Sequence, residues 1–270
     1  MASDSRLTSS GYVDVYQKLF PLDRGDSFVA FCGDTTFAFP VIFQIQSALE
    51  IFEPSRDRSE DITKLLPRIV DLINAYRAAW KDVDPLVIAQ ENATTRFLFG
   101  GWSWKYRKFY IYPIQYNSKI NLFQAYTHKG IVKRLELSKD EKCIAIGNYT
   151  PEFYEALKKT IKKHRLRTLN YEPLQVLSGM LRTPKFTDRQ SDESLYRPAD
   201  KVGVIGGAPQ ALKIYQHANF RPIAIRWAAG AAESEVSLFG RPLLHYERTI
   251  LPIYDCQNQK YLYPLANISN

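Results

Sequence analysis

Two pairs of helical patterns, each set between blocks of strand-like sequence, limit this chain to folds that combine helices with sheets. The clearest helix runs from Asp61 to about Trp80. There Ile62, Leu65, Leu66, Ile69, Leu72, Ile73, Tyr76 and Trp80 recur near a helical period and mark one buried stripe. Its partner begins after Gly33. Asp34 or Thr35 can cap it, Pro40 lies near enough to the start to be tolerated, and it extends to about Phe52. Pro54 to Glu60 reads as a charged loop. In the second pair, Thr150 reads as the N-cap and Pro151 as the first helical residue. That helix runs to about His164, and a fourth spans about Glu172 to Leu181.

The intervening blocks carry β-formers and turn residues. Residues 2 to 32 read as two or three short strands, the last being the apolar run Ser27 to Cys32, bounded by Gly33. Thr94 to Gly100, Phe109 to Gln115 and Asn121 to Thr127 read as three more. Leu135 to Leu137 is a short candidate, and Cys143 to Gly147 reads as a buried strand. Lys201 to Tyr215 reads as two strand segments around a Gly206-Gly207 turn, followed by strands at Pro222 to Trp227 and Thr249 to Tyr254. The order is strands, two helices, strands, two helices, strands. It predicts an α+β fold in which sheet packs on sheet with helices outside, a four-layer αββα sandwich. We expect one domain over 1–270, with an insertion loop at 183–199 and a C-terminal β extension at 228–270.

Composition narrows the function classes. A chain of 270 residues can bury about three quarters of its unfolded surface and needs no staples. Aromatic residues make up 13%, which excludes a disordered chain. Cys32, Cys143 and Cys256 are odd in number and far apart, so neither a zinc ribbon nor a disulfide framework is expected. Cys32 and Cys143, each in an apolar run, read as core thiols, and the compartment as reducing. The four histidines form no metal-binding spacing, and neither a cofactor nor a metal is implied. No apolar stretch is long enough to span a bilayer, and the first residues carry no apolar signal core. A cytoplasmic protein without membrane partners is expected.

The net charge is +8, which raises binding to polyanions. Two segments could carry it. Lys158 to Arg167 is dense in cations, and it reads as a solvated helix end that complements the dipole. Trp102, Trp104, Tyr106, Tyr110, Tyr112 and Tyr116 interleave with Lys105, Arg107 and Lys108. They read as cross-strand packing rather than a stacking surface for nucleic acid. A basic nucleic-acid-binding module is therefore the third reading, and nucleic acid is not an expected partner.

The most specific residues lie near the start. Ala2-Ser3-Asp4-Ser5-Arg6-Leu7-Thr8-Ser9-Ser10-Gly11-Tyr12 resembles the A-A-D-S-R-x-T-x-G-x-Y strand of proteasome β-subunits. Lys18 to Leu22 resembles the lysine-bearing strand that follows it, and Phe28 to Thr36 the strand that ends in Ala-Gly or Cys-Gly before the first long helix. Leu98 to Trp102, Ile144 to Gly147 and Ile205 to Gly207 are similar to later family segments in the same order. The resemblance is closest over the first 40 residues and runs loosely to about residue 227.

That resemblance implies the N-terminal-nucleophile (Ntn) hydrolase fold of proteasome β type and a threonine-type peptidase or amidohydrolase. It implies Asp4 as the carboxylate that orients a lysine, Lys18 as the electrostatic activator, Gly33 as the oxyanion N–H donor and Arg6 as a structural neighbour. It also implies a peptide or amide substrate, a homo-oligomeric ring and a regulatory partner. The chain departs from the family at the nucleophile, which belongs on a strand well before Asp4. Only Met1, Ala2 and Ser3 precede Asp4 here, so the nucleophile strand is absent from this sequence. Asn148 follows Gly147 where the family carries serine. The alternative is a catalytically inactive structural or assembly subunit of the same fold.

Overall fold

The computed structural model describes residues 1–8, 12–81, 91–126, 143–187, 205–217, 219–228 and 234–262. The fold is α+β. Five strands form one antiparallel sheet in sequence order: β4 (Leu19–Pro21), β5 (Ser27–Cys32), β6 (Arg96–Ser103), β7 (Lys108–Asn117) and β8 (Leu122–Ala125). A second sheet runs β1 (Ala2–Ser3), β9 (Gln210–Tyr215), β10 (Asn219–Trp227), β11 (Glu235–Leu238), β12 (Arg241–Pro242). Strand β13 (Ile253–Asp255) joins it parallel to β10, and β14 (Lys260–Leu262) pairs with β13. The C-terminal β extension thus belongs to the second sheet. Strands β2 (Leu7–Thr8) and β3 (Tyr12–Val13) form a small hairpin apart from both.

Helices α1 (Thr35–Ile51) and α3 (Ile62–Ala78) bury their apolar stripes on the first sheet. Phe37, Val41 and Ile45 of α1 and Leu65, Ile69 and Ile73 of α3 share one cluster with Phe97, Phe99, Ile114 and Phe123. Helices α4 (Thr150–His164) and α5 (Glu172–Met180) follow in the second half. Leu174 and Met180 of α5 pack with Ala211, Ile223, Ile225 and Trp227 of the second sheet. A third cluster joins the sheets to each other: Leu19, Phe28 and Ala30 meet Leu212, with Leu98, Ile111, Ile214 and Phe220 around them. The strand alternation explains this. Along β5, Val29 and Phe31 face the helices while Phe28 and Ala30 face the other sheet.

Several local expectations change. Residues 2 to 32 hold five short strands rather than two or three. The charged loop after α1 contains a helical turn, α2 (Glu53–Arg56), because Pro54 suits a first turn and both Ser55 and Arg56 donate to the Phe52 carbonyl. Among the described residues, Cys143 to Gly147 pairs with no strand. The Ala145 N–H donates to the Tyr154 hydroxyl instead, and that hydroxyl donates to the Cys143 carbonyl. The cap of α4 is Tyr149 with φ 57°, and Thr150 is already the first helical residue. The expected strand at 249–254 starts only at Ile253. Within the expected insertion loop, Pro184–Thr187 is a helical turn, α6. The rest of that loop, Leu135 to Leu137 and Lys201 to Val204 lie outside the described residues.

Candidate functional site

Asp4 leaves the end of β1 and Lys18 immediately precedes β4, so the two residues come from different sheets. Lys18 Nζ donates to Asp4 Oδ1 at 2.8 Å, and each side chain is only 13% exposed. The other carboxylate oxygen, Oδ2, accepts from the backbone N–H groups of Arg6 and Gly206, both at 3.3 Å. A buried carboxylate with a cation and two amide donors is well compensated for lost water.

Gln210, fully buried on β9, holds both backbones in place. Its Oε1 accepts from Lys18 N at 3.0 Å, and its Nε2 donates to the carbonyls of Asp4 at 3.1 Å and Tyr16 at 2.5 Å. The Gly206-Gly207 turn closes over the same segment. Ser5 N donates to Gly206 O at 3.0 Å, and Gly207, at φ +71°, sits where a Cβ would meet Ser5 Oγ at 2.3 Å.

Arg6 faces away from Asp4. It forks onto Asp14 at 2.6 and 2.7 Å, donates to the Thr187 carbonyl at 2.6 Å and lies 4.1 Å over the Tyr12 ring. Its link to Asp4 is through its backbone N–H alone. Arg6 thus anchors the hairpin that follows Asp4.

Gly33 stands at the junction of β5 and α1. Its φ is +102°, and a Cβ there would lie 2.5 Å from Thr94 O and from Thr95 Cα. Only glycine fits such a position. Asp34, next in sequence, caps α1 by accepting from Phe37 N at 2.8 Å, so Gly33 sits at the positive end of a 17-residue helix. Phe31 N donates to Lys18 O at 3.4 Å, which sets Lys18 two residues from Gly33 across the β4–β5 hairpin.

A cavity of about 1100 Å³ opens between the sheets. Asp4, Lys18, Cys32, Gly33 and Gly147 all line it, as do Ala2 and Ser3 of β1. Among the described residues, β1 is paired on one side only, with β9. Cys32 and Cys143 are half-buried cavity residues rather than core thiols, and only Cys256 is buried. Burial pushes the Cys32 thiol up to about 11, against the pull of Arg96 and Lys18, so it stays protonated at neutral pH. Among the described residues, no group of three His, Cys, Asp or Glu could hold a metal ion.

The expected site residues Asp4, Lys18 and Gly33 therefore share one cavity. Gln210 and Asp14 escaped the sequence reading. Gln210 is a lone polar residue after Pro209 in an apolar run, which signals a buried partner but not which one. No family model and no curated protein matches this chain. No helix among the described residues is long and apolar enough to cross a membrane.

Proposed function

We propose that this chain is an acyl-transfer hydrolase of peptide or amide bonds, built on the four-layer αββα sandwich of proteasome-type Ntn hydrolases. The observation that carries it is the Lys18–Asp4 pair, 2.8 Å apart on the wall of a cavity that Gly33 also lines. The Lys18 ammonium, fixed by Asp4, lowers the cost of ionising a hydroxyl or thiol beside it. That nucleophile attacks the carbonyl carbon while its proton passes to an α-amino group or a water. The Gly33 N–H donates to the resulting oxyanion, aided by the positive end of α1. Collapse breaks the C–N bond, the amine leaves with the proton, and water then hydrolyses the acyl-enzyme.

The nucleophile is the part these residues do not supply at the family's position. An extended segment added to the edge of β1 that is unpaired among the described residues would run beside Ala2 and Ser3 along the cavity, which is where a nucleophile-bearing strand belongs. Asn148, in place of the family's serine, favours the second reading, a non-catalytic assembly subunit in a homo-oligomeric ring. Hydrolysis of fluorogenic peptide amides separates the two. A catalytic chain shows turnover that falls at least ~100-fold in Lys18→Ala. Turnover unchanged in Lys18→Ala overturns the proposed mechanism, and no turnover with any substrate favours the assembly subunit.

A further inference from the structure

The β6–β7 hairpin packs most of its aromatics as its sequence suggests, with Tyr112 buried and Tyr110 and Tyr116 against the core beside it. Trp102 and Phe109 do pack across the ladder, with centroids 4.9 Å apart. At the turn itself Trp104 is 49% and Tyr106 51% exposed, and Phe109 remains 52% exposed despite its contact with Trp102. Lys105, Arg107 and Lys108 alternate with them and are all exposed. Lys105 Nζ lies 5.3 Å from the Tyr106 ring centroid and Lys108 Nζ 4.9 Å from that of Tyr110. No ion pair involves these three cations among the described residues.

The turn is braced. Ser103 Oγ donates at 2.8 Å to Asp61, the buried cap of α3, and accepts from Tyr106 N at 3.1 Å. Lys105 N donates to the same carboxylate at 3.2 Å. A braced turn loses little entropy when a ligand lies on it. Lys64 adds a fourth cation in a groove beside Trp104. Glu60 lines the same groove, but Arg68 holds its carboxylate at 3.1 Å. The sequence from Asn92 to Leu135 contains no Asp or Glu at all.

We propose that the β6–β7 turn binds single-stranded nucleic acid. Alternating aromatic and cationic side chains on a braced turn supply stacking faces for bases and charges for the phosphates between them. Exposed rings that alternate with cations around one turn suit a linear polyanion better than a bilayer, which favours a continuous apolar face.

The test uses the full chain and labelled oligo(dT) and oligo(U) of about 12 nucleotides, followed by fluorescence anisotropy across a salt series. We expect binding at low salt that weakens steeply as salt rises. Trp104→Ala/Tyr106→Ala should weaken it roughly 5- to 100-fold with the salt slope unchanged. Lys105→Ala/Arg107→Ala/Lys108→Ala should reduce the slope by about 2. Circular dichroism confirms that both variants remain folded. A comparison variant, Lys158→Ala/Lys159→Ala/Lys163→Ala on α4, should bind as the parent does. The proposal is overturned by absence of binding at low salt, by parental affinity in both turn variants, or by loss of binding in the α4 variant alone. Capture by phosphatidylserine vesicles with no oligonucleotide binding also overturns it.

Discussion

Lys18 and Asp4 flank strands of separate sheets, and their 2.8 Å contact links the two sides of the cavity wall. Lys18→Arg keeps the charge but replaces a compact ammonium with a planar fork. We expect it to abolish turnover while unfolding within about 1 kcal/mol of the parent, as read by urea denaturation. Equal turnover in Lys18→Arg would mean that bulk charge, not placement, is what counts. Asp61 illustrates a purely structural carboxylate. Burial raises its pKa, yet hydrogen bonds from Thr63 N, Ser103 Oγ, Thr63 Oγ1 and Lys105 N outweigh burial and hold it below its ordinary value. A lowered native pKa stabilises the fold above the unfolded value of about 3.9, and that stability is lost as pH falls through the native one. Asp61→Asn should therefore lower stability by about 1 kcal/mol at pH 7 and flatten the acid limb of stability against pH. An acid limb of parental steepness in that variant would assign the acid sensitivity elsewhere.

Among the elements, the β5–α1 junction leaves no room for a side chain. Gly33→Ala forces a Cβ into the Thr94–Thr95 backbone at a φ that L-residues avoid. It should cost about 2 kcal/mol or more and shift the N–H proposed for the oxyanion. A thermal midpoint equal to the parent's would show that the junction relaxes freely. The β4–β5 turn is held by another buried device. Arg24 and Asp26 side chains are 1% and 3% exposed, and Arg24 also donates to the carbonyls of Ser55 and Glu60. Arg24→Ala leaves Asp26 buried without its partner and should cost about 3 to 5 kcal/mol, whereas Arg24→Met/Asp26→Leu should recover most of that. The long helices were legible because Asp34 and Asp61 cap them and their stripes are regular. The run Cys143 to Gly147 reads as a strand because an apolar composition does not say what its backbone pairs with; the Ala145 N–H donates to a tyrosine hydroxyl.

At the scale of the whole molecule, two sheets joined by a thin apolar contact leave room between them for a cavity that gathers Asp4, Lys18 and Gly33 from separate parts of the chain. Those three residues were legible only through their resemblance to a family motif. Spacing alone does not bring residues 4, 18 and 33 together; the strand pairing does. Gln210 was invisible because a contact spanning 206 residues of sequence has no local signature. In the β6–β7 hairpin Trp102, Tyr110, Tyr112 and Tyr116 pack as the alternation suggests, whereas Trp104 and Tyr106 at the turn face solvent, a difference that alternation alone does not show. The central claim is that the cavity performs acyl transfer with Lys18 as activator. Intact mass of the protein purified from its native cells, with and without a peptide β-lactone, tests it most directly. The account predicts one covalent adduct on an N-terminal Thr, Ser or Cys, absent from Lys18→Ala. A mature N-terminus without such a residue and no adduct would contradict it.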